Sequence, residues 1–292
     1  MSRTITIVGA GRVGQTLGRR LRKLGWRIGA VVTRSKKASR TAARAIGAGT
    51  PHAALTRQVF DADVILVTTP DAALKEVART LGRLNLDDIR GKIVLHTSGA
   101  LDRTVLAPLA RRGASTGSLH PMQTFSGRGT PRLDGVIFAV EGDRAALRTA
   151  KQIARALGGV PVEIRGESKP AYHAAGALVA GHGLALVEAA TLTLTKLGLS
   201  RSRALQALLP LIRQMLDNYE GLGPRAAWTG PISRGDYDTV AKHGRALRPY
   251  PREFKDAYAA LALLAARVLS KQPAATRKKI ERALKNSRGG DI

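Results

Sequence analysis

The sequence contains no cysteine, and this absence excludes several kinds of chemistry. Disulfide bonds, thiolate metal sites and cysteine nucleophiles are ruled out for this chain of 292 residues. The six histidines are scattered, without a His-x-x-His or His-x-x-x-His pair, so we expect no metal site. A chain free of cysteine fits a reducing compartment, and we expect a cytoplasmic protein.

Acidic and aromatic residues are also scarce. The chain has 48 Lys and Arg against 21 Asp and Glu, a formal net charge of +27, and no acidic residue precedes Asp61. Such a charge attracts polyanions, so nucleic-acid binding through the basic surface is one hypothesis. Aromatic residues make up only 4% of the chain, and no known nucleic-acid motif is present. We therefore expect any such binding to be nonspecific.

Long apolar runs are absent as well. The N-terminal segment has too few apolar residues before its glycines to form the core of a signal peptide. The longest weakly polar stretch, residues 174–190, contains His182 and Glu188 and is shorter than a bilayer requires. The sequence therefore predicts a soluble protein without a membrane-spanning segment.

Short β-branched runs alternate with amphipathic helical stretches in the first half of the chain. This pattern predicts an α/β fold with a doubly wound parallel sheet, with strands at residues 5–8, 28–33, 64–68, 93–96, 136–140 and 160–164. After residue 164 the pattern is helical, over residues 170–197, 201–219 and 252–269. We predict a Rossmann-type domain over residues 1–165, an all-helical domain over 166–270 and a basic C-terminal tail over 271–292.

A glycine motif lies between the first predicted strand and the helix that follows it. It reads Gly9-x-Gly11-x-x-Gly14, in the strand-turn-helix context that dinucleotide binding requires. Gly9 permits the tight turn, Gly11 lets the backbone approach a pyrophosphate, and Gly14 allows close packing of the helix. The motif predicts a nicotinamide cofactor bound at the helix N-terminus by Gly9, Gly11, Arg12, Val13 and Gly14.

Basic residues lie where NAD-binding proteins carry an acidic residue. About twenty residues after Gly14, the chain reads Thr33-Arg34-Ser35 followed by two lysines. The missing carboxylate and the added cations favour the 2′-phosphate of NADP over NAD, with contacts from Arg34 and Ser35. The alternative is a solvated basic turn. After the strand at 64–68, Thr69 and Pro70 are expected on the nicotinamide ribose side of the site.

Polar strings follow the later strands, where ligands bind in open α/β sheets. They are predicted as loops and contain His96 and Ser98 in the first, and His120 in the second. Ser98 and His120 are expected to face a reacting carbonyl or imine, because a histidine can transfer a proton and a hydroxyl can orient the substrate. The alternative for His120 is a structural role before Pro121, and for His96 a structural role is favoured.

Two further candidate groups lie in the predicted helical domain. Lys169 and His173 are four residues apart on one helix face, with Tyr172 beside them, and we expect this face to line a cleft between the domains. Lys169 is a candidate proton donor or a clamp on a carboxylate, and the alternative is a solvated helix start. In the later Gly/Pro-rich loop, Arg234 is a candidate for binding an anion, with Asp236 as its partner or as a helix N-cap.

Together these strings resemble a family of bacterial proteins that combine a Rossmann-like domain with a C-terminal DUF2520 domain, itself similar to the 6-phosphogluconate dehydrogenase C-terminal-like superfamily. The resemblance rests on five motifs: Gly9-x-Gly11-x-x-Gly14, His96-Thr97-Ser98-Gly99, His120-Pro121-Met122-Gln123, Lys169-x-x-Tyr172-His173 and Thr229-Gly230-Pro231-x-x-Arg234-Gly235-Asp236. It implies an NAD(P)-dependent oxidoreductase.

More distant families share single features with the chain. The string around His120 is similar to that at the active-site histidine of prephenate dehydrogenases. Lys169 is placed like the catalytic lysine of ketopantoate reductases and 3-hydroxyacid dehydrogenases. Those enzymes carry an asparagine four residues after this lysine, where the present chain has His173.

The leading hypothesis is an NADPH-dependent reductase of a small carboxylate-bearing carbonyl or imine, such as a 2-oxoacid or ketopantoate. The predicted proton donor is Lys169 or His120, and the substrate is oriented or bound by Ser98, Tyr172, His173, Thr229 and Arg234. We expect a homodimer formed through an Ala/Gly-rich helical face. The alternative is an NADP-binding sensor or scaffold without turnover.

Overall fold

The protein is described from a computed structural model, in which residues 3–85, 88–127 and 129–286 are considered. The chain divides into two compact units, Met1–His182 and Gly183–Ile292. The last six residues of the predicted basic tail, 287–292, lie outside the described residues.

The first unit is built on one eight-stranded sheet. Its order is β3-β2-β1-β4-β5-β6-β7-β8, and the described strand pairs are parallel except for β6 with β7. The strands are β1 Thr4–Val8, β2 Arg27–Val32, β3 Thr50–His52, β4 Val64–Val67, β5 Ile93–His96, β6 Ser115–Pro121, β7 Ile137–Gly142 and β8 Val160–Glu163. The predicted α/β class with a Rossmann-type sheet is confirmed.

The helices of the first unit cover both faces of this sheet. They are α1 Arg12–Lys23, α2 Lys36–Ile46, α3 Asp71–Arg83, α4 Ala107–Ala110, α5 Arg144–Ala156 and α6 Lys169–Ala177, followed by a π-helical turn, Leu178–His182. Because helices pack on both faces, all four residues of β4 are buried, as expected for a central parallel strand. Leu17 and Leu21 of α1 pack on one face, and Leu74 and Leu81 of α3 belong to another core cluster.

Two strands differ from the prediction. The string around His120 is not a loop, because residues 115–121 form β6 between β5 and β7. Because β6 contains several polar side chains, a prediction based on the spacing of apolar residues did not identify it as a strand. The other unpredicted strand, β3, has only three residues and lies at the edge of the sheet.

The second unit is helical, as predicted. Its helices are α7 Gly183–Lys196, α8 Arg201–Leu222, α9 Pro231–Arg234, α10 Tyr237–Ala246, α11 Arg252–Leu269 and α12 Pro273–Asn286. Its small core includes Val240 of α10, Ala266 of α11 and Ile280 of α12. The Asp236 carboxylate accepts a hydrogen bond from the Thr239 amide, so Asp236 is the N-cap of α10.

The helical stretch Gly166–Lys196 is longer than the sequence pattern indicated. It has 31 residues and a window of mean hydropathy 1.5, so by length and composition alone it could cross a membrane, and only 6% of that window is buried. A polar pair interrupts its surface, because Arg201 donates two hydrogen bonds to the Glu188 carboxylate, at 2.8 and 2.7 Å. A charged pair of this kind is costly in lipid.

Candidate active site

The candidate site of the first unit lies at one edge of the sheet. The parallel strands β1, β4, β5 and β6 end there, and the order of the sheet reverses between β1 and β4. Gly9 follows β1, and Thr68 follows β4. His96 is the last residue of β5, and His120 is the next-to-last residue of β6. Ligands of open α/β sheets bind at such a reversal, outside the carboxyl ends of the strands.

The glycine turn after β1 leaves no room for side chains at two positions. Gly9 has a φ of 80°, and a Cβ on it would lie 2.8 Å from the Thr69 amide nitrogen. A Cβ on Gly14 would lie 3.0 Å from a methyl group of Ile7 and still closer to the Thr68 hydroxyl. At Gly11, by contrast, the nearest atom is the Gly9 carbonyl oxygen at 3.8 Å. The backbone at Gly11 is therefore open to a ligand.

The residues around this turn fit a dinucleotide. Helix α1 begins at Arg12, and the amides of its first turn have no intrahelical partner and carry the positive end of the helix dipole. The Thr69 hydroxyl is buried and has no hydrogen-bond partner among the described residues. A pyrophosphate needs amide donors of this kind, and a ribose hydroxyl offers the orphaned Thr69 oxygen a partner.

The basic turn before α2 contains one exposed cation and one capping residue. Arg34 is exposed, and its side chain forms no hydrogen bond or ion pair within the described residues. Ser35 is the N-cap of α2, because its hydroxyl accepts a hydrogen bond from the Ala38 amide at 3.2 Å. Arg34 is thus available to an anionic ligand, whereas Ser35 already has a structural partner.

Lys169, the first residue of α6, is completely buried. Its Nζ donates hydrogen bonds to the Ser98 carbonyl oxygen at 3.0 Å and to the Ser118 Oγ at 2.7 Å. Burial lowers the pKa of Lys169 to about 8, although Glu141, Asp102 and Asp71 favour its charged form. The alternative that Lys169 is a solvated residue at the start of a helix is therefore wrong.

Ser118 and Glu141 are two site residues that the sequence reasoning missed. The Ser118 Oγ donates to the Glu141 Oε2 at 3.3 Å, and the two residues are paired across β6 and β7. Burial raises the pKa of the Glu141 carboxyl. The alternation of a strand could have revealed Ser118, since it lies two residues before His120 and hence on the same face, but only after β6 had been recognised.

His120, Tyr172 and His173 form a cluster beside Lys169. The Tyr172 hydroxyl lies 3.1 Å from the His120 Nδ1. The rings of His120 and His173 pack edge to face, with their centroids 5.8 Å apart. Burial, followed by the charge of Lys169, lowers the pKa of His120 to about 4, so this ring is neutral near pH 7. Burial raises the pKa of Tyr172 to about 12, so its hydroxyl keeps its proton.

Gly99 lies against this cluster. A Cβ on Gly99 would lie 2.7 Å from the His120 Nε2 and 2.6 Å from the His173 Cδ2. Contacts this short do not occur, so glycine at this position allows the two imidazoles to approach the loop. Of the predicted site residues, Ser98, His120, Lys169, Tyr172 and His173 are thus brought together in the first unit.

Two family models match the chain. A Rossmann-like domain matches residues 2–121, and a domain of unknown function, DUF2520, matches residues 136–265. The chain therefore contains a Rossmann-like domain followed by a DUF2520 domain. The resemblance predicted from the motifs is thereby confirmed.

Solved structures of similar fold cover nearly the whole DUF2520 protein. A Bacteroides fragilis protein provisionally described as an NADP oxidoreductase is 22% identical, with a TM-score of 0.74 over 96% of this chain and 99% of that one. A reductive aminase from Aspergillus terreus, in complex with NADPH, is 20% identical (TM-score 0.61, 100% and 97% covered). A 1-pyrroline-5-carboxylate reductase from Streptococcus pyogenes is 13% identical (TM-score 0.59, 99% of both chains). No curated protein sequence matches.

His96 and Ser98 of the DUF2520 protein have internal partners. The His96 Nδ1 accepts from the Ser98 amide at 3.2 Å, so its Nε2 carries the proton and donates to the Asp102 carbonyl oxygen at 3.1 Å. The Ser98 Oγ donates to Asp71 at 2.8 Å and accepts from the amides of Ala100 and Leu101. Asp71 is the first residue of α3, and Pro70 precedes it. These groups shape the loop that presents Gly99.

Thr229 and Arg234 lie in the second unit of the protein. Thr229 is exposed and precedes α9, and Arg234 is the exposed last residue of that helix. Their roles in substrate binding stay predictions.

Proposed function

We propose that this DUF2520 protein is an oxidoreductase that uses NADPH to reduce a small carboxylate-bearing carbonyl or imine. The observation that carries the proposal is the position of two groups at one sheet edge: the glycine turn after β1 and the cluster of Lys169, His120 and Tyr172 beside β6. The named activities of the solved structures with this fold support a nicotinamide-dependent reductase. These activities favour substrates with a C=N bond as the first to be tried.

The cofactor is held by the residues around the glycine turn. The N-terminus of α1 would hold the pyrophosphate, and Arg34 would bind the 2′-phosphate, which favours NADP over NAD. Thr69 and Pro70 would contact the ribose next to the nicotinamide. The bound cofactor supplies the two electrons and one hydrogen of the reduction.

The other hydrogen is a proton, and His120 supplies it to the substrate. Of the two donors considered, Lys169 is completely enclosed, whereas His120 is partly exposed. When the Tyr172 hydroxyl donates to Nδ1, the neutral ring carries its proton on Nε2. This proton passes to the reduced oxygen or nitrogen as the Tyr172 proton moves to Nδ1. Water then protonates the Tyr172 phenolate and leaves hydroxide, and proton exchange with solvent returns His120 to the tautomer with its proton on Nε2.

Lys169 acts on the reaction through its charge. Its ammonium group adds to the effect of burial in lowering the pKa of His120, and it attracts the negative charge that develops on the reduced substrate. Ser118 connects it to the Glu141 carboxylate by hydrogen bonds. Lys169, Ser118 and Glu141 are therefore positioning residues, and His120 is the catalytic residue.

A second copy of the chain covers the apolar surface of the second unit. Leu211, Met215, Tyr219 and Leu222 form one stripe along α8, with exposures between 49% and 66%. Only Ala204 of this 22-residue helix is buried. A helix with such an exposed apolar stripe requires a partner that covers it. The neighbouring Glu188–Arg201 ion pair disfavours a lipid bilayer as that partner. Leucines supply most of this surface, and a homodimer through the predicted Ala/Gly-rich helical face stays a prediction.

Calorimetric titration of nucleotide-stripped protein with NADPH and with NADH tests the proposal. The buffer contains enough salt to suppress nonspecific binding of polyanions. We expect NADPH to bind at least about tenfold more tightly, because Arg34 offers a charge-assisted contact that only the 2′-phosphate uses. A screen of imines and 2-oxoacids with NADPH follows. Binding of neither nucleotide contradicts the reductase, and tight binding with no turnover in the screen favours the sensor.

A further inference from the structure

A second groove in the first unit lies away from the glycine turn. It has a volume of about 760 Å³ and lies between α3 and the segment from Leu101 to Arg112. Neither the glycine turn nor the His120 cluster contributes a lining residue. Five of its lining residues are cations: Lys75, Arg79, Arg83, Arg111 and Arg112.

Three of these cations have no partner within the described residues. The side chains of Lys75, Arg83 and Arg111 form no hydrogen bond or ion pair with residues 3–85, 88–127 or 129–286. They are also exposed, so they are free to bind a ligand. Lys75 and Arg83 are eight residues apart on α3 and hence on the same face of the helix.

The other two arginines form the fixed part of the groove. Arg112 donates to the carbonyl oxygens of Gly82 and Leu84, at 3.1 and 2.6 Å, and so ties the end of α4 to the end of α3. Arg79 forms an ion pair with Glu76 of its own helix. The single acidic residue among the described lining residues is Asp102, whose carboxylate accepts hydrogen bonds from Thr104. The groove therefore has a large excess of positive charge.

Apolar side chains supply the remaining wall. Leu101, Val105 and Pro108 face the same groove. A smaller cavity of about 380 Å³ adjoins it and shares Arg111 and Arg112. Its other charged lining residues, Arg90 and Asp88, form an ion pair at 2.9 Å. The unpaired cations therefore belong to the larger groove, which also contains the apolar wall.

We propose that this groove binds an organic polyphosphate, a molecule with several phosphate groups and an apolar or aromatic ring. Guanidinium groups bind phosphate oxygens through paired, charge-assisted hydrogen bonds, and the wall of Leu101, Val105 and Pro108 receives the ring. A concave groove enclosed by two chain segments fits a small molecule better than a nucleic-acid duplex. It also has no aromatic lining residue on which the bases of a single strand could stack.

The test is calorimetric titration of the full-length protein with ATP, without magnesium. NADPH is left out because it is itself a polyphosphate with an aromatic ring, and the variants distinguish binding in the groove from binding at the glycine turn. Inorganic tripolyphosphate serves as the probe without a ring. We expect ATP to bind, and tripolyphosphate to bind more weakly because it leaves the apolar wall empty. The double variant Arg83→Ala/Arg111→Ala is expected to weaken ATP at least about tenfold.

The matched control is Arg144→Ala/Arg148→Ala, which removes two exposed arginines from α5 and leaves the groove intact. It is expected to bind ATP as the wild type does. Equal affinity in the two double variants, no binding of ATP, or a DNA duplex that competes for the groove more tightly than ATP overturns the proposal. Arg111→Glu provides a second variant, and thermal unfolding verifies that each variant is folded. The proposal does not depend on the reductase reaction.

Discussion

At the scale of single residues, the DUF2520 protein keeps one ammonium group out of water. Lys169 is buried against Ser98 and Ser118, and its pKa of about 8 places its loss of charge just above neutral pH. His120 stays neutral over the same range, since its pKa is about 4. The two groups therefore differ in charge near pH 7, which suits one for electrostatic stabilisation and the other for hydrogen bonding to a substrate.

The first prediction concerns the dependence of activity on pH. We expect kcat/KM to fall as the pH rises through about 8, because Lys169 loses its charge there. Glu141 raises the pKa of Lys169, so Glu141→Gln should move this fall to lower pH by about half a unit to one unit. The measurement is kcat/KM between pH 6 and 10.

The control for this prediction is Glu163→Gln, which changes an exposed carboxylate on β8. It should leave the pH profile unchanged. If the fall in kcat/KM at alkaline pH occurred at the same pH in Glu141→Gln as in the wild type, a group other than Lys169 would be responsible for it.

The second prediction concerns the proton donor. Tyr172→Phe removes the hydroxyl beside the His120 Nδ1, and we expect kcat to fall about 100-fold, in the range found for general acids. The affinity for NADPH should not change, because Tyr172 is remote in sequence from the glycine turn and is assigned to the proton path. Tyr258→Phe, which removes the hydroxyl beside the His243 Nδ1 in the second unit, is the control. A kcat within threefold of the wild type would return the role of donor to Lys169.

At the scale of elements, the loop after β5 depends on one small residue. Gly99→Ala places a methyl group 2.7 Å from the His120 Nε2 and 2.6 Å from the His173 Cδ2. Because both rings must move, we expect kcat/KM to fall at least about tenfold while calorimetry shows unchanged NADPH binding. The control is Gly181→Ala, because a Cβ on Gly181 would have no atom within 4 Å. Unchanged kinetics in Gly99→Ala would place the reaction elsewhere.

Helix α8 carries the prediction for assembly. Leu211→Glu puts a charge into the exposed apolar stripe, and burying an unpaired carboxylate at an interface costs several kcal/mol, so we expect a dimer to become a monomer. Light scattering coupled to size-exclusion chromatography measures the mass. Leu24→Glu, at an exposed leucine after α1, should leave the mass unchanged. A wild type that is monomeric at all concentrations would refute the proposed dimer.

At the scale of the whole molecule, buried histidines couple folding to pH. His96 and His120 have pKa values of about 3 and about 4 in the folded protein, where burial disfavours their charged forms. In the unfolded chain both titrate near 6.5. The unfolded state therefore binds more protons between pH 6.5 and 4, and stability is lost as the pH falls through this range.

The corresponding prediction is a decrease in the free energy of unfolding on acidification. We expect a loss of about 2–5 kcal/mol from these two histidines between pH 7 and 4. Urea unfolding at both pH values measures it. His96→Gln/His120→Gln should lose less stability over this interval than the wild type, and the exposed His182→Gln should behave as the wild type does. Equal losses in all three proteins would rule out this coupling.

The pattern of residues was sufficient for six of the eight strands and for the glycine turn. Strand β1, the turn and α1 are specified by neighbours in sequence, since an apolar run, three glycines and a helical spacing of leucines all lie within residues 4–23. The bounds of α11, residues 252–269, agree with the prediction for the same reason. Local patterns of this kind do not depend on distant contacts.

Tertiary contacts decided the composition of the candidate site. Lys169 and Ser118 are 51 residues apart in sequence, and their hydrogen bond exists only because α6 packs against β6. The polar strand β6 is buried between two strands, and no local apolar alternation marked it. Glu141 joined the site through the register of β6 with β7, a pairing that depends on the whole sheet. Local sequence sets which elements form, whereas long-range packing sets which polar groups leave water together and how their pKa values shift.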